Sequence, residues 1–522
     1  VNENKNTPLV ASNPEQISAE LTGVRLMPDE ELVRVETYAH PRLRRPFSAI
    51  KAMIGLTAAM RFRDIGKHGP SNASNAMEKN PDDRESHQGK YDVFFPRDGH
   101  VVASILEDTP QLTRATIMAS FEGMGVVDNY TSPAHPFDEQ EVGKIAHEMR
   151  DPDDPIAVEL TEKKDWGWPY YGAVDTTGKN IISIARYVER SEEGEAFLDA
   201  TFTGRDGVER TVREGLDMNV AWLLGRMDLN PEGLVESLSK NPKHHANQTW
   251  ADSPEAFHHA DGSWAEHHPE KNLGVASLEQ QGEAYSALRG AALLYELEGE
   301  TQFAAELNQR ADKLRAVVLE KFWVDDPAHF GGYFGRGTDR DADGNLRVLA
   351  IRTSDMGNFL DSGMLDDTDD EALNEEIRRK REAVVQNLLS EEMMSPNGVR
   401  TLSTDSYRYS DDRYHNGTTW PWVSYVTARG LRRYGYEDEA TQLEDRIMDA
   451  YQDTRILGEY YSGSDDLNHR VVDQKVVVRN PTLTTETEYP VSQPAQEVQA
   501  WTTAAILAIK RNRVKRYRAR QE

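Results

Sequence analysis

The chain of 522 residues contains no cysteine, and that absence removes several chemistries at once. Disulfide scaffolds, thiolate nucleophiles and cysteine-ligated zinc are all excluded. Long apolar runs are missing too. No stretch approaches the ~20 continuous apolar residues of a membrane-spanning helix, so no membrane partner is expected. Val1 to Glu30 is polar and lacks any apolar run, so no signal peptide is expected and the expected location is the cytoplasm. Positive charge is scarce. Lys and Arg number 60 against 89 Asp and Glu, a net charge of −29, which repels nucleic-acid phosphates and anionic membrane surfaces.

What is present points to a large globular protein. Hydrophobic residues make up 38% of the chain, enough for a sizeable core rather than a disordered polymer. The acids are spread out, as at Asp151, Asp153, Asp154 and again at Asp366, Asp367, Asp369, Asp370, rather than gathered in one tail. A diffusely acidic surface suits solubility at high salt, where screening shortens the reach of self-repulsion, and a salt-adapted source is expected.

Residues 1–40 have little periodicity and read as an extended arm; residues 41–522 read as a single domain. Apolar residues three to four apart predict helices near 46–62, 98–124 with a break at Pro110, 172–190, 208–228, 276–298, 300–323, 371–391, 416–434, 436–451 and 496–513. His68 to Lys90 is a polar loop. Strand signals are few: Gly331–Phe334 is expected to pair with Arg347–Ala350 across an Asp-Gly turn, and Val471–Val478 is a second candidate. Helical hairpins in series with long loops between them predict an all-α toroid of helical hairpins with a few short β-hairpins in its long loops. A multi-domain helical bundle is the plainer alternative.

Five loop segments share Trp, Tyr, Asp, Glu, Arg and Gly: 91–99, 166–175, 247–262, 413–422 and 457–463. Rings stacking on the C–H face of a sugar, with carboxylates and Arg forks on its hydroxyls, are how a polar uncharged ligand is gripped. In the third segment Asp252 follows Trp250 and precedes Ser253-Pro254, a turn signal that places the acid on a loop. A carboxyl desolvated by an indole has its pKa raised and keeps a proton to donate. A helix-capping Asp in an ordinary polar loop is the bland reading of the same residues.

The ordered set of these segments resembles the glycogen-debranching amylo-α-1,6-glucosidase family and, more distantly, the glucoamylase, trehalase and processing-glucosidase families. It runs through Phe95-Pro96-Arg97-Asp98, Gly143-Lys144-Ile145-Ala146-His147-Glu148 and Tyr170-Tyr171-Gly172-Ala173-Val174-Asp175. It continues through Asn247 to Ser253, Glu279-Gln280-Gln281-Gly282, Tyr414 to Pro421, and Gln499-Ala500-Trp501. The resemblance implies an (α/α)6 barrel and an inverting, exo-acting α-glucosidase that needs no cofactor and no metal. By position it implies Asp252 as general acid and Glu459 as general base, with Glu486 and Glu488 as competing bases. Arg97 and Asp98 resemble the pair that holds the outer hydroxyls of the cleaved sugar. Tyr171, Asp175, Trp250, Glu279, Gln280, His415, Trp420 and Trp501 resemble its other substrate-binding positions. Ala251 stands where the family often has Lys, and Gln496-Glu497-Val498 replaces the usual lead-in to Gln-Ala-Trp. The arm is too short to replace the family's N-terminal β-rich domain. A small glucoside such as trehalose or a glucosylated compatible solute therefore stands beside a glucan as the expected substrate. A non-catalytic sugar-binding protein is the alternative of another class.

Three other signals take bland readings. Asp339-Arg340-Asp341-Ala342-Asp343-Gly344 begins like a calcium loop, but Ala350 fills the twelfth position where a bidentate Glu is needed, so a hairpin turn is expected. The pairs His244-His245, His258-His259 and His267-His268 lack zinc spacing and are expected to be exposed loop residues. The basic tail Lys510 to Arg520 is expected to pair with the protein's own acids.

Overall fold

The computed structural model describes residues 93–128, 139–239, 241–472 and 499–519, together with the backbone of short strands at 61–62, 70–71, 475–480 and 485–490. Within these residues lie twelve α-helices: α1 Pro96–Ile105, α2 Pro110–Glu122, α3 Pro155–Lys164, α4 Thr176–Arg190, α5 Val212–Met227, α6 Leu278–Leu297, α7 Thr301–Lys321, α8 Asp355–Asp361, α9 Glu371–Leu388, α10 Pro421–Arg433, α11 Glu437–Thr454 and α12 Ala500–Ala519.

Local chemistry explains most of the boundaries. α1, α2, α3 and α10 each begin with Pro, whose fixed φ suits the first helical turn and whose missing N–H is not needed there. The Asp154 side chain accepts from the N–H groups of Ile156 and Ala157, and Thr211 forms a reciprocal capping box with Glu214. Gly299 (φ 84°) and Gly435 (φ 86°) turn the chain between α6 and α7 and between α10 and α11. The left-handed conformation there favours glycine.

α1, α4, α6, α8, α10 and α12 pack each against the next, and α12 returns to pack on α1. This is an inner ring of six. α2, α5, α7, α9 and α11 each follow an inner helix and pack outside it. The fold is an α/α toroid with short antiparallel strand pairs in its loops. The core divides accordingly. Aliphatic residues such as Ile181, Leu288, Leu314 and Val384 fill the space between inner and outer helices. A second, aromatic-rich cluster with Trp250, Trp420, Trp422 and Trp501 gathers at one end of the ring.

Several expectations need correction. The turn at Asp341–Asn345 is a hairpin, but it joins Gly337–Arg340 to Leu346–Val348; Tyr333–Phe334 pairs instead with Trp323–Val324. The Asp341 carboxylate accepts from the N–H groups of Asp343 and Asn345, closing the turn. The helix expected over 46–62 lies outside the described residues except at Arg61–Phe62, which is strand. Most of the 68–90 loop and the arm at 1–40 also lie outside them. The strand expected from Val471 begins at Lys475. α3 and α8 were not foreseen. α8 has seven residues, of which Asp355, Met356, Gly357, Phe359 and Leu360 are buried, so it shows no polar face to reveal its period.

The paired histidines are not exposed loop residues. His244 and His258 are buried, His259 Nε2 lies 3.0 Å from Asp339 Oδ2, and His268 Nε2 lies 3.0 Å from the Arg340 carbonyl. The basic tail does pair internally, Arg511 with Asp108 and Arg516 with Glu444. Among the described residues no helix is long and apolar enough to cross a membrane.

Candidate active site

The aromatic end of the ring encloses a pocket of about 200 Å3, room for several waters. Its walls come from the beginnings of inner helices and the long loops before them. Arg97 and Asp98 lie in the first turn of α1, Trp420 caps α10, and Gln499 and Trp501 stand at the start of α12. Helix N-termini are the positive ends of the helix dipoles, which favours the placement of acids between them.

Four acids of the described residues line the pocket: Asp98, Glu148, Asp252 and Glu459. Asp252 sits on its loop with its side chain partly open to solvent, and its Oδ2 lies 3.3 Å from Arg97 Nη1. The indole of Trp250 is turned to Asp355, donating from Nε1 to Oδ1 at 2.9 Å. The charge beside Asp252 is therefore a guanidinium, which the reading from Trp250 alone did not include.

Glu459 is buried rather than solvated. Its Oε1 accepts from Tyr414 Oη at 2.7 Å, and its backbone carbonyl accepts from Trp501 Nε1 at 3.3 Å. Burial pushes the Asp98 carboxyl up to about 8; Arg97 opposes this, while Glu459 and Asp252 add to it. At neutral pH Asp98 is thus mostly protonated and can donate as well as accept. That role was not legible in its sequence neighbours.

Arg97 is held from behind. Its Nε donates to Asp175 Oδ2 at 2.5 Å and its Nη2 to Asp175 Oδ1 at 3.2 Å, a two-pronged buried pair that aims the remaining Nη1 into the pocket. Trp250 meets Trp420 and Trp422 edge to face, and His415 stacks on Trp420 with ring centroids 5.3 Å apart. Burial, with Arg336 and Arg97 nearby, holds His415 well below the usual imidazole range, so its ring is neutral. Its Nδ1 lies 2.9 Å from Ser253 Oγ and steadies the Asp252 loop.

Of the expected residues, Arg97, Asp98, Trp250, Asp252, Trp420, Glu459 and Trp501 line the pocket. Asp175 and His415 stand directly behind it. Tyr171, Glu279 and Gln280 are spent within the fold: Tyr171 Oη donates to the Gly123 carbonyl at 2.9 Å and Gln280 Nε2 to the Val174 carbonyl at 3.2 Å. Glu279 accepts from Lys179 Nζ at 3.1 Å. The carboxylates of Asp175, Glu279 and Glu283 lie close enough together to hold a cation. Lys179, in contact with both glutamates, supplies that charge. Glu486 and Glu488 lie in the strand Thr485–Pro490, whose side chains are outside the described residues.

The pocket also has a rim that sequence reasoning did not place there, with His147, Glu148, Arg150, Lys164 and His245. Arg150 Nη2 donates to Glu148 Oε1 at 2.6 Å. Lys164 is exposed, with no acidic partner in contact among the described residues, and its ammonium lies 5.4 Å from the Trp166 ring centroid. The only signal for it was an isolated Lys-Lys at the end of a helix that itself went unrecognised.

The chain is similar over part of its length to mannosylglycerate hydrolase of Rubrobacter radiotolerans. It is 28% identical over 166 residues, 31% of this chain, and spans about a third of that relative's length. Two structures of the GH63 mannosylglycerate hydrolase of Thermus thermophilus share the fold. The one in complex with Tris and D-glycerate superposes with a TM-score of 0.51 over 88% of this chain and 99% of its own, at 13% identity. The one in complex with Tris gives 0.52 over 89% and 99%, also at 13% identity. The family description of the mannosylglycerate hydrolase MGH1-like glycoside hydrolase domain matches residues 195–474, which include both Asp252 and Glu459. The resemblance to debranching glucosidases is thereby narrowed to a glycosidase of the six-hairpin type. With more than half of its length matched, the chain belongs to the MGH1-like glycoside hydrolase family.

Proposed function

We propose that the protein is an exo-acting, inverting hydrolase of small α-glycosides whose leaving group is a hydroxy acid, such as a glycosylated glycerate. The observation that carries this reading is that Asp252 and Glu459, from distant loops, open into one pocket walled by Trp250, Trp420 and Trp501. In this reading Asp252 protonates the glycosidic oxygen while Glu459, steadied by Tyr414, deprotonates the water that attacks the anomeric carbon. Arg97 and the protonated Asp98 hold hydroxyls of the sugar being cleaved. Lys164, free at the rim, receives the carboxylate of the leaving group, and in a chain of net charge −29 such a cation is a selective feature. The family's named activity supports a glycosylglycerate over a branched glucan, and the pocket reading is the same for a glucosyl or a mannosyl unit.

Time-resolved NMR of the first-released sugar tests the proposal on glucosylglycerate, mannosylglycerate, trehalose, isomaltose and branched dextrin. The expected result is rapid cleavage of a glycerate glycoside with the β-anomer appearing first. Release of the α-anomer overturns the inverting mechanism, and preference for dextrin overturns the substrate class. We also propose that residues 41–522 act as one catalytic domain and that the acidic surface is an adaptation to salt. A melting temperature that rises in molar KCl is the expected sign, and a maximum in dilute buffer refutes the adaptation.

A further inference from the structure

Val101 and Trp422 line the pocket on one side and a second cavity on the other. This cavity holds about 110 Å3 and lies further along the same inner helices, toward their C-terminal turns. Four cationic side chains line it, and three of them are already matched. Arg190 pairs with Glu107, Arg429 grips Asp361 through Nε at 2.9 Å and Nη2 at 2.6 Å, and Lys179 sits against Glu279 and Glu283. Arg186 is different. It has no hydrogen bond or ion pair among the described residues, and burial, with Arg429 beside it, pushes its guanidinium down to about 10. A planar fork of donors without an acceptor thus faces the cavity.

Residues of the lining also carry polar atoms without partners among the described residues. Both amide atoms of Asn358, the Nε1 of Trp422 and the Oε2 of Glu283 are buried and unbonded. Buried polar atoms of this kind ordinarily have partners, so the cavity is chemically incomplete on several sides at once. Donors are wanted by Glu283 Oε2 and Asn358 Oδ1; acceptors are wanted by Arg186, Asn358 Nδ2 and Trp422 Nε1.

We propose that this cavity is a second ligand site, distinct from the catalytic pocket, for a small hydroxylated monocarboxylate. The carboxylate rests on Arg186, and hydroxyls reach Asn358 and Glu283. A single unmatched guanidinium suits one negative charge. A dianion such as phosphate is disfavoured by Glu107, Glu283 and Asp361 on the same walls. Chloride satisfies Arg186 but leaves the oxygens of Glu283 and Asn358 without donors, and a neutral polyol gives Arg186 acceptors but no counter-charge. The inference does not depend on which glycoside the catalytic pocket cleaves.

Calorimetric titration of the full chain with sodium glycerate tests it, with acetate, glycerol, sodium chloride and inorganic phosphate as comparators. The expected result is a saturable event that Arg186→Gln weakens at least about tenfold and Lys164→Gln leaves intact, since a carboxylate on Arg is a charge-assisted pair. Acetate should bind more weakly than glycerate, and the other three should not reproduce the event. Hydrolysis of a neutral glycoside by Arg186→Gln should keep the wild-type kcat. If that variant fails to fold, Asn358→Leu takes its place with the same expectation. Binding unchanged in the variant, equal binding of chloride, or no saturable event beyond the catalytic pocket each overturns the proposal, the last leaving a cavity filled only by water.

Discussion

At the aromatic end of the ring the charged side chains face one another across open space; at the far end of the same helices most are matched in pairs. Helix α1 shows the contrast along a single element. Its first turn presents Arg97 and Asp98 to the aromatic pocket, and its later turns present Ser104 and the neighbouring Glu107 to the second cavity, where Glu107 is taken by Arg190. Gathering Asp98, Asp252 and Glu459 in one pocket adds to the upward push on the Asp98 carboxyl, and in the proposed mechanism that crowding serves acid–base chemistry. Pairing acids with bases at the far end lowers the cost of polar groups inside the ring. On the proposed reading one end is arranged for reaction and the other for cohesion, with Arg186 the exception.

The sharpest way to break this contrast is to remove the proposed base. Glu459→Gln is expected to lower kcat by about 10²–10⁴-fold with little change in sugar binding, whereas Arg186→Gln leaves kcat alone. Steady-state kinetics with a binding titration checks both. If Glu459→Gln keeps full turnover, the base lies elsewhere, with Glu486 and Glu488 next in line.

Removing the buried clamp comes second. Arg97→Gln strands Asp175, which is fully buried, and should cost about 3–5 kcal/mol in urea unfolding as well as catalysis. A loss confined to activity would mean that Asp175 is paired some other way.

The third test concerns pH. The ordinary value for the Asp98 carboxyl is 3.8, and in the fold it stands near 8. Between these values the folded chain holds a proton that the unfolded chain has released. The native state therefore binds more protons, and stability falls as pH rises through this window. Asp98→Asn, which cannot ionise, should flatten part of that decline between about pH 4 and 8 in chemical denaturation midpoints. An unchanged slope would show that Asp98 titrates normally. The smallest effect belongs to the rim. Lys164→Gln should raise KM for an anionic glycoside about two- to fivefold, leave a neutral one unaffected, and lose its effect at high salt.

Much of the architecture was legible in local patterns. The stripes at Leu278, Tyr285, Leu288 and Ala292 and at Leu307, Ala311 and Leu314 mark α6 and α7 within a few residues, because a 3.6-residue period needs only neighbours to declare itself. α8 escaped because a helix buried on every side has no period to read. The Tyr333–Phe334 strand was matched to the wrong partner because two glycine-rich turns lie close in sequence and only packing decides which strands meet. For the site, composition picked out the loops that carry Asp98, Asp252, Trp420 and Glu459, while Trp501 came only from the family resemblance. It did not separate wall from support: Tyr171, Glu279 and Gln280 have the same residue types as pocket residues but spend their polar atoms on the fold.

The sequence by itself determined the helical hairpins, the absence of thiol chemistry, the acidic surface and the loops rich in aromatic and acidic residues, all properties of residues near one another in the chain. Only the tertiary structure decided that Arg97 leans on Asp175 and reaches Asp252, that burial keeps a proton on Asp98, and that Arg186 makes no ion pair among the described residues. Those outcomes depend on which groups meet across the ring once it closes, and on how much water is excluded when they do. Neither is encoded in any single segment.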